Sequence, residues 1–281
     1  MSKVHVILPV HNRVNITRYC VESLHSQINR EMINLILIDD GCIDETVSMV
    51  CGFFPNTTVI QGDGNLWWGG ALQKGYEWLR DQSFDPHDYV LILNDDTTFS
   101  KDFLKKGFSC LREKTLLLAR AFDLETKKEI DRGIRINWLN FSFNDVSETE
   151  KPNCLSTRGL LMNYSDFLSV GGFRPDKLPH YCSDYEFTVR AFKKGLVLES
   201  HESFSLYVDE STTGVHYITT KNPIDYVKNL MTTKSAKNPM MLSRFVLMCA
   251  PKTMIPFSLA RIWLGVVARY FTVLLKRKGN V

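Results

Sequence analysis

Negative charge is almost missing from the end of this chain. Residues 217–281 hold eleven lysines and arginines against one acid, Asp225, a net of +10. The whole chain carries only +3, so residues 1–216 carry −7. This imbalance argues against a charge-balanced, fully solvated tail. It points to an anionic partner, most simply a membrane surface. Cysteine pairs at metal-ligand spacing are also missing. The seven cysteines are odd in number and none forms a CxxC pair. That argues against a zinc site or a disulfide framework and fits a reducing compartment. Met1-Ser2-Lys3 runs straight into a strand-like segment with no apolar h-region. The expectation is therefore a cytoplasmic chain without a secretory signal. No internal repeat or low-complexity segment interrupts the sequence, which excludes a solenoid.

The bulk composition is ordinary. Hydrophobic residues make up 44% and charged residues 23%, as in globular proteins. A chain of 281 residues suffices for one large α/β domain, placed at 1–216, and an appendage at 217–281. The first half alternates in pattern. Strands are predicted at 4–8, 35–38, 57–60 and 89–93. Helices are predicted at 15–28, with Ile16, Cys20, Leu24 and Ile28 at helical spacing, then at 44–51, and after a glycine-rich loop at 62–70. Such alternation predicts a mostly parallel sheet covered by helices on both faces. Further on, 116–122, 128–136 and 154–162 read as strands. Residues 141–151 read as a polar loop. Residues 184–194 read as a helix that Gly195 ends.

The sharpest local signal is Asn94-Asp95-Asp96, directly after the apolar run Tyr89-Val90-Leu91-Ile92-Leu93. A strand delivers acids to its C-terminal end, where open α/β sheets bind ligands. Adjacent carboxylates repel unless a cation lies between them, and a divalent metal carrying a diphosphate would satisfy both. The competing reading is a helix cap, with Asp96 or Thr97 opening a helix near residue 100.

Three other pieces stand in order around it. Val6-Ile7-Leu8-Pro9-Val10-His11-Asn12 opens the chain, and Asp39-Asp40-Gly41-Cys42-Ile43-Asp44-Glu45-Thr46 ends the second strand. Ser183-Asp184-Tyr185-Glu186-Phe187, with Arg190 a turn later, begins a helix. The four together resemble the family 2 glycosyltransferases, over about residues 3–215. The resemblance implies the GT-A fold: a Rossmann-like, mostly parallel α/β sheet flanked by helices, here with a C-terminal helical tail. It also implies roles. Pro9, Val10, His11 and Asn12 lie where the first loop meets the nucleotide. Asp40 matches the acid that accepts from a pyrimidine N–H; otherwise it is a turn residue before Gly41. Asn94 and Asp95 support the donor, and Asp96, with Asp95, holds Mg²⁺ or Mn²⁺. Asp184 matches the catalytic base, with a helix cap as its bland alternative. Gly64-Asn65-Leu66-Trp67-Trp68-Gly69-Gly70-Ala71 sits where the family has its donor loop, so Asn65, Trp68 and Gly69 join the candidate site. This loop looks most like the rhamnosyltransferase-like subset. Residues 156–162, with Gly159, resemble the acceptor side.

The chain departs from the family pattern in three places. His11 replaces a usual tyrosine, and Ser183 replaces the acid before the base. Val208-Asp209 stands where relatives carry a metal-binding histidine, leaving Asp209, His216 or water as the third ligand. The implied partners are a UDP- or dTDP-sugar donor, a glycan or lipid-linked acceptor, and a membrane met through the tail at the inner face of the cell. A homodimer is a further possibility, and no nucleic acid is expected. The apolar run at 254–275 is long enough to span a bilayer. Arg261 and Arg269 make spanning costly, so an interfacial helix is preferred. Two other classes compete. A nucleotidyltransferase would need a glycine-rich basic loop after the first strand, and residues 9–15 supply only Arg13. A non-catalytic scaffold would not need the acids.

Overall fold

The computed structural model describes residues 2–209 and 223–278. A nine-stranded sheet runs in the order β3-β2-β1-β4-β10-β6-β11-β5, with β7 beside β6. Its strands are β1 (Val4–Val10), β2 (Ile33–Asp39), β3 (Thr58–Gln61), β4 (Tyr89–Ile92), β5 (Thr97–Thr98), β6 (Thr115–Asp123), β7 (Glu129–Asp131), β10 (Leu160–Asn163) and β11 (Val197–Val208). The strands β3, β2, β1 and β4 pair in parallel. Strand β10 is reversed between β4 and β6, and β11 pairs in parallel with β6. The sheet is thus mixed but predominantly parallel, as expected.

The sequence explains why both faces are covered. Along β1, Val4, Val6, Leu8 and Val10 enter one apolar layer and Ile7 enters the other. Leu35 and Leu37 alternate in the same way with Ile36 and Ile38 on β2. Alternating side chains that are apolar on both faces need a helical layer on each side. Helices α1 (Val14–His25), α2 (Thr46–Phe53) and α4 (Phe103–Cys110) cover the first face. Helices α3 (Trp67–Arg80), α5 (Tyr164–Val170) and α6 (Ser183–Lys193) cover the second.

Several expected boundaries move. Helix α1 stops at His25 and buries Thr17, Cys20, Val21 and Leu24. Ile28, expected on that stripe, is 61% exposed. There the chain turns away, and the Gln27 side chain donates to the Ser100 carbonyl while accepting from Leu104 N–H. The strand expected at 128–136 breaks at Gly133, whose φ of +93° no strand tolerates. It becomes β7 and β8 (Ile134–Asn137). The polar loop expected at 141–151 contains β9 (Ser142–Asp145), which forms a hairpin with β8. The strand expected at 154–162 begins only at Leu160, because Gly159 has φ +77°.

The tail is not a separate body. It forms α7 (Pro223–Leu230), α8 (Pro239–Cys249) and α9 (Ile255–Lys278). Asn238 caps α8, accepting from the N–H groups of Met240 and Met241. Phe245 and Cys249 of α8 enter a cluster with Ile134, Ile136, Cys154, Leu178, Cys182 and Val189. Thus α8 completes the core beneath α6 and the β8–β9 hairpin. Helix α9 differs: Phe257, Trp263, Leu264, Val267, Phe271 and Leu275 are all exposed. The stretch Lys252–Leu275 is long and apolar enough to cross a membrane, and only 17% of its most apolar window is buried.

Candidate active site

The C-terminal ends of β1, β2 and β4 open on a cleft of about 520 Å³. Its walls include Pro9, Val10, His11, Asp40, Trp68, Asn94, Asp95, Asp96 and Asp184. Nine of the expected site residues therefore meet in one place. Asn12, Asn65 and Gly69 do not line it. Asn12, with φ +50°, is exposed at the rim, and its side chain accepts from Ile43 N–H at 2.8 Å. Asn65 is exposed and bonds only within its own turn, to Asp63. Gly69 lies inside α3, because that helix starts at Trp67 and the expected glycine loop is correspondingly shorter. Its N–H donates to Pro179 O, and a Cβ there would lie 2.6 Å from Leu178 O. Gly69 thus lets α3 pack against the segment that leads to Asp184.

Asp40 is tied into the glycine-rich loop that leads into α3. Its Oδ1 accepts from the N–H groups of Gly64 (2.9 Å) and Leu66 (3.1 Å), and its Oδ2 accepts from Trp67 N–H (3.2 Å). Gly41, with φ +73°, permits this approach, since a Cβ would sit 3.0 Å from the Gly64 backbone. His11 Nδ1 donates to the Asp40 carbonyl at 2.6 Å, which fixes the ring against β2.

The helix-cap reading of Asp96 does not survive. Asp95-Asp96 leads into β5, and the next helix, α4, begins only at Phe103 after Asp102. Asp95 is turned inward: Arg13 Nη1 and Thr17 Oγ1 each donate to it at 3.0 Å. Burial pushes its carboxyl up to about 6, against the pull of Arg13. Asp96 is different. Its Oδ2 lies 3.5 Å from Arg13 Nη2, and its Oδ1 is buried without a hydrogen-bond partner. Asn94 Oδ1 is also unpartnered. An orphaned carboxylate oxygen in a cleft suits a hard cation. Among the described residues no group of three or more His, Cys, Asp or Glu could hold a metal. A cation would therefore rely on Asp96 and on ligand or water oxygens. Val208 pairs with Thr97, and one residue further that register brings Asp209 abreast of Asp96. His216 lies outside the described residues.

Asp184 approaches from another direction. Helix α6 begins at Ser183 after Cys182, which has φ +65° and makes no side-chain cap. Asp184 Oδ1 accepts only from the adjacent Tyr185 N–H. Burial pushes its carboxyl up to about 6, Asp131 adds to the rise and Arg158 opposes it. Ser183 is buried and donates to His180 O at 2.6 Å, so it shapes the turn before Asp184. Glu186 points away and forms a two-pronged pair with Arg190 at 2.8 Å. Arg190 also donates to the carbonyls of Val170, Gly171 and Gly172, clamping α6 to the loop after α5.

Sequence reasoning missed His180, Tyr181 and Lys234, and included Thr157 and Arg158 only as part of the acceptor-side segment 156–162; all five are in the cleft wall. It noticed Arg13 only as a lone basic residue. No motif marks these positions; the fold gathers them. Arg13 and Thr17 lie one helical turn apart, and that spacing hints that both face one partner.

The acids at the ends of β2 and β4, on a mostly parallel sheet with α6 across the cleft, define a GT-A-type nucleotide-diphospho-sugar transferase fold. Solved structures agree on the fold. The S. aureus TarS fragment 1–349 in complex with UDP-GlcNAc superposes with a TM-score of 0.59 at 16% identity, over 93% of this chain and 71% of that one. The mannosyltransferase PcManGT from Pyrobaculum calidifontis, in complex with GDP-Man and Mn²⁺, gives 0.54 at 14% identity, over 99% and 79%. Residues 5–164 match the family model for Glycosyl transferase family 2, and the chain belongs to that family. A curated relative, the minor teichoic acid biosynthesis protein GgaA of Bacillus subtilis (strain 168), is 30% identical over 108 residues. That match spans 37% of this chain and 23% of the relative.

Proposed function

We propose that the protein is an inverting, metal-dependent glycosyltransferase. It moves a sugar from a nucleoside diphosphate donor, UDP- or dTDP-linked, to a hydroxyl of a cell-surface glycan or lipid-linked glycan. One observation carries this reading: a single cleft holds Asp96, with an unpartnered oxygen, and Asp184, with a raised carboxyl. The two come from separate elements, as donor and acceptor ends require. Asp184 would accept the proton of the acceptor hydroxyl as that oxygen bonds to the anomeric carbon. The bond from that carbon to the diphosphate breaks on the opposite side, which inverts the configuration. Mg²⁺ or Mn²⁺, held by Asp96, would neutralise the departing diphosphate. Asp95 would set the position of Arg13 and α1 beside it. Asp40 would hold the donor loop in place, and Trp68, fixed by its Nε1 donating to Thr157 Oγ1 at 3.0 Å, would offer an aromatic face to the donor.

The GgaA match favours a cell-wall polymer as acceptor, and the donor loop favours a deoxysugar such as dTDP-rhamnose. The nucleotidyltransferase reading loses ground, because Arg13, the one basic residue of the first loop, is already paired with Asp95 and Asp96. The test is nucleoside diphosphate release with Mn²⁺ across UDP-, dTDP- and GDP-sugars. At least one donor should turn over or bind; no release and no binding from any would end the enzyme reading.

The tail carries a second expectation. Helix α9 is proposed to lie in an anionic membrane surface at the cytoplasmic face, through its exposed apolar side chains, rather than pair with a second copy. A chain ending at Thr253 keeps α8 and should no longer sediment with phosphatidylserine vesicles. Serine at Trp263 and Leu264 should weaken sedimentation in the full chain. Unchanged sedimentation of both would remove the membrane assignment, and loss of a dimer instead would favour the second copy.

A further inference from the structure

Arg158 is a cation in the cleft wall that forms no ion pair among the described residues. Its Nε is buried and has no hydrogen-bond partner. Its guanidinium forms no ion pair among the described residues, whereas Arg13, Arg120, Arg132 and Arg190 all do. Burying part of a guanidinium without an acceptor costs free energy, so an absent anionic group is the natural complement. The position is rigid. Gly159, next in the chain, has φ +77°, and a Cβ there would lie 2.5 Å from Leu206 and 3.0 Å from Ala119. Thr157 is buried and accepts from Trp68. The backbone on both sides of Arg158 is thus fixed, and its unpartnered Nε is buried rather than free in solvent.

The side of the cleft is also defined. The β10–β4 pairing aligns Leu160 with Ile92, and two residues further that register sets Arg158 abreast of Asn94, at the inner edge of the Asn94-Asp95-Asp96 turn. Arg158 acts electrostatically on Asp184, while Asp95 feels Arg13. Arg13 is already paired with Asp95 and Asp96, whereas Arg158 is unpaired and lines the same cleft as Asp184. Lys234, from the segment between α7 and α8, is a second cation on this cleft and has no ion pair among the described residues.

We infer that Arg158, with Lys234 at the rim, binds an anionic group of the acceptor, a phosphate next to the attacking hydroxyl. This rests on the proposed transferase reading and narrows its substrate class to phosphate-bearing glycans or polyols. A planar guanidinium matches two phosphate oxygens, which a lysine cannot do in the same plane. Arg158 is here a substrate-positioning residue, not the base.

The test uses the full chain with Mn²⁺ and a saturating nucleoside diphosphate, so that the donor end is filled. Glycerol 1-phosphate and glycerol serve as probes, followed by ligand-observed NMR. The wild type should bind the phosphate and not glycerol. Arg158→Gln should weaken that binding by roughly tenfold to a hundredfold, and Arg158→Lys by less. Affinity for the nucleoside diphosphate should stay within twofold in both. Equal binding of glycerol 1-phosphate by wild type and R158Q overturns the inference. So does loss of nucleoside diphosphate affinity in R158Q, which would move the arginine to the donor. Failure of every nucleoside diphosphate to bind the wild type counts against the transferase reading, and the comparison of R158Q with wild type on glycerol 1-phosphate still reads this inference.

Discussion

Asp184→Asn should lower sugar transfer by about 10²–10⁴-fold, the usual contribution of a general base, and leave Mn²⁺-dependent donor binding within a few-fold of wild type. Asparagine keeps the size of the side chain and cannot take the acceptor proton. The wild-type pH profile should follow the same carboxyl. Asp184 titrates near 6, so transfer should rise as pH passes through about 6 and level off above it. The mutant should lose that limb.

Stability should move in the opposite direction to activity. A carboxyl whose pKa is raised on folding binds more protons in the native state than in the unfolded one. Stability therefore falls as pH climbs from the unfolded value near 4 to the folded value near 6, and the cost is complete above that. It is at most about 3 kcal/mol, and less where cleft water reaches the group. Asp184→Asn should thus melt higher than wild type at pH 7.5, with the gap closing near pH 4. Full activity in the mutant, or a lower melting temperature at pH 7.5 with activity lost, would remove Asp184 from the base role.

Asp96→Ala should remove metal-dependent donor binding. Its Oδ1 is an unpartnered carboxylate oxygen at the β4 end of the cleft, and among the described residues no group of three or more His, Cys, Asp or Glu could hold a metal in its place. Metal-assisted affinity should fall by about tenfold to a hundredfold, as for loss of a strong charged contact. Asp95→Asn should act differently. Asp95 holds Arg13 and Thr17, so its loss should chiefly loosen α1 and lower the melting temperature. If titration with Mn²⁺ gives the same donor affinity for Asp96→Ala as for wild type, the cation sits elsewhere.

How much of this was legible depended on how local each signal was. The strand-end acids were readable because each follows an apolar run, and a parallel sheet delivers such residues to one edge. The resemblance already favoured Asp96 over Asp95 as the metal ligand; what stayed hidden was that Asp95 is held by Arg13 and Thr17, about 80 residues upstream. Gly69 was misread because glycine serves close approach to a ligand and close packing of a helix equally well. Asn12 fell outside because its side chain accepts from Ile43 N–H on the loop after β2, and Asn65 because it closes its own turn with Asp63. Arg158 was legible only as part of the acceptor-side segment 156–162, and Lys234 not at all: nothing in their neighbours says that the start of β10 and the α7–α8 segment meet at the same opening. The hairpin at β8–β9 was hidden by its polar outer residues; its apolar partners, Phe245 and Tyr185 against Phe143, come from distant segments.

The packing of α8 under α6 also sets an order on biosynthesis. Ile136 and Cys182 leave the ribosome well before Phe245, their partner in the same apolar cluster. At about 5–20 residues per second, the nascent chain waits several seconds with that surface uncovered. The floor beneath Asp184 closes only when α8 emerges, and α9 follows directly behind it. Completion of the fold and arrival of the apolar helix therefore fall close together in time. A partly made chain would lack both a finished cleft and the exposed apolar face of α9.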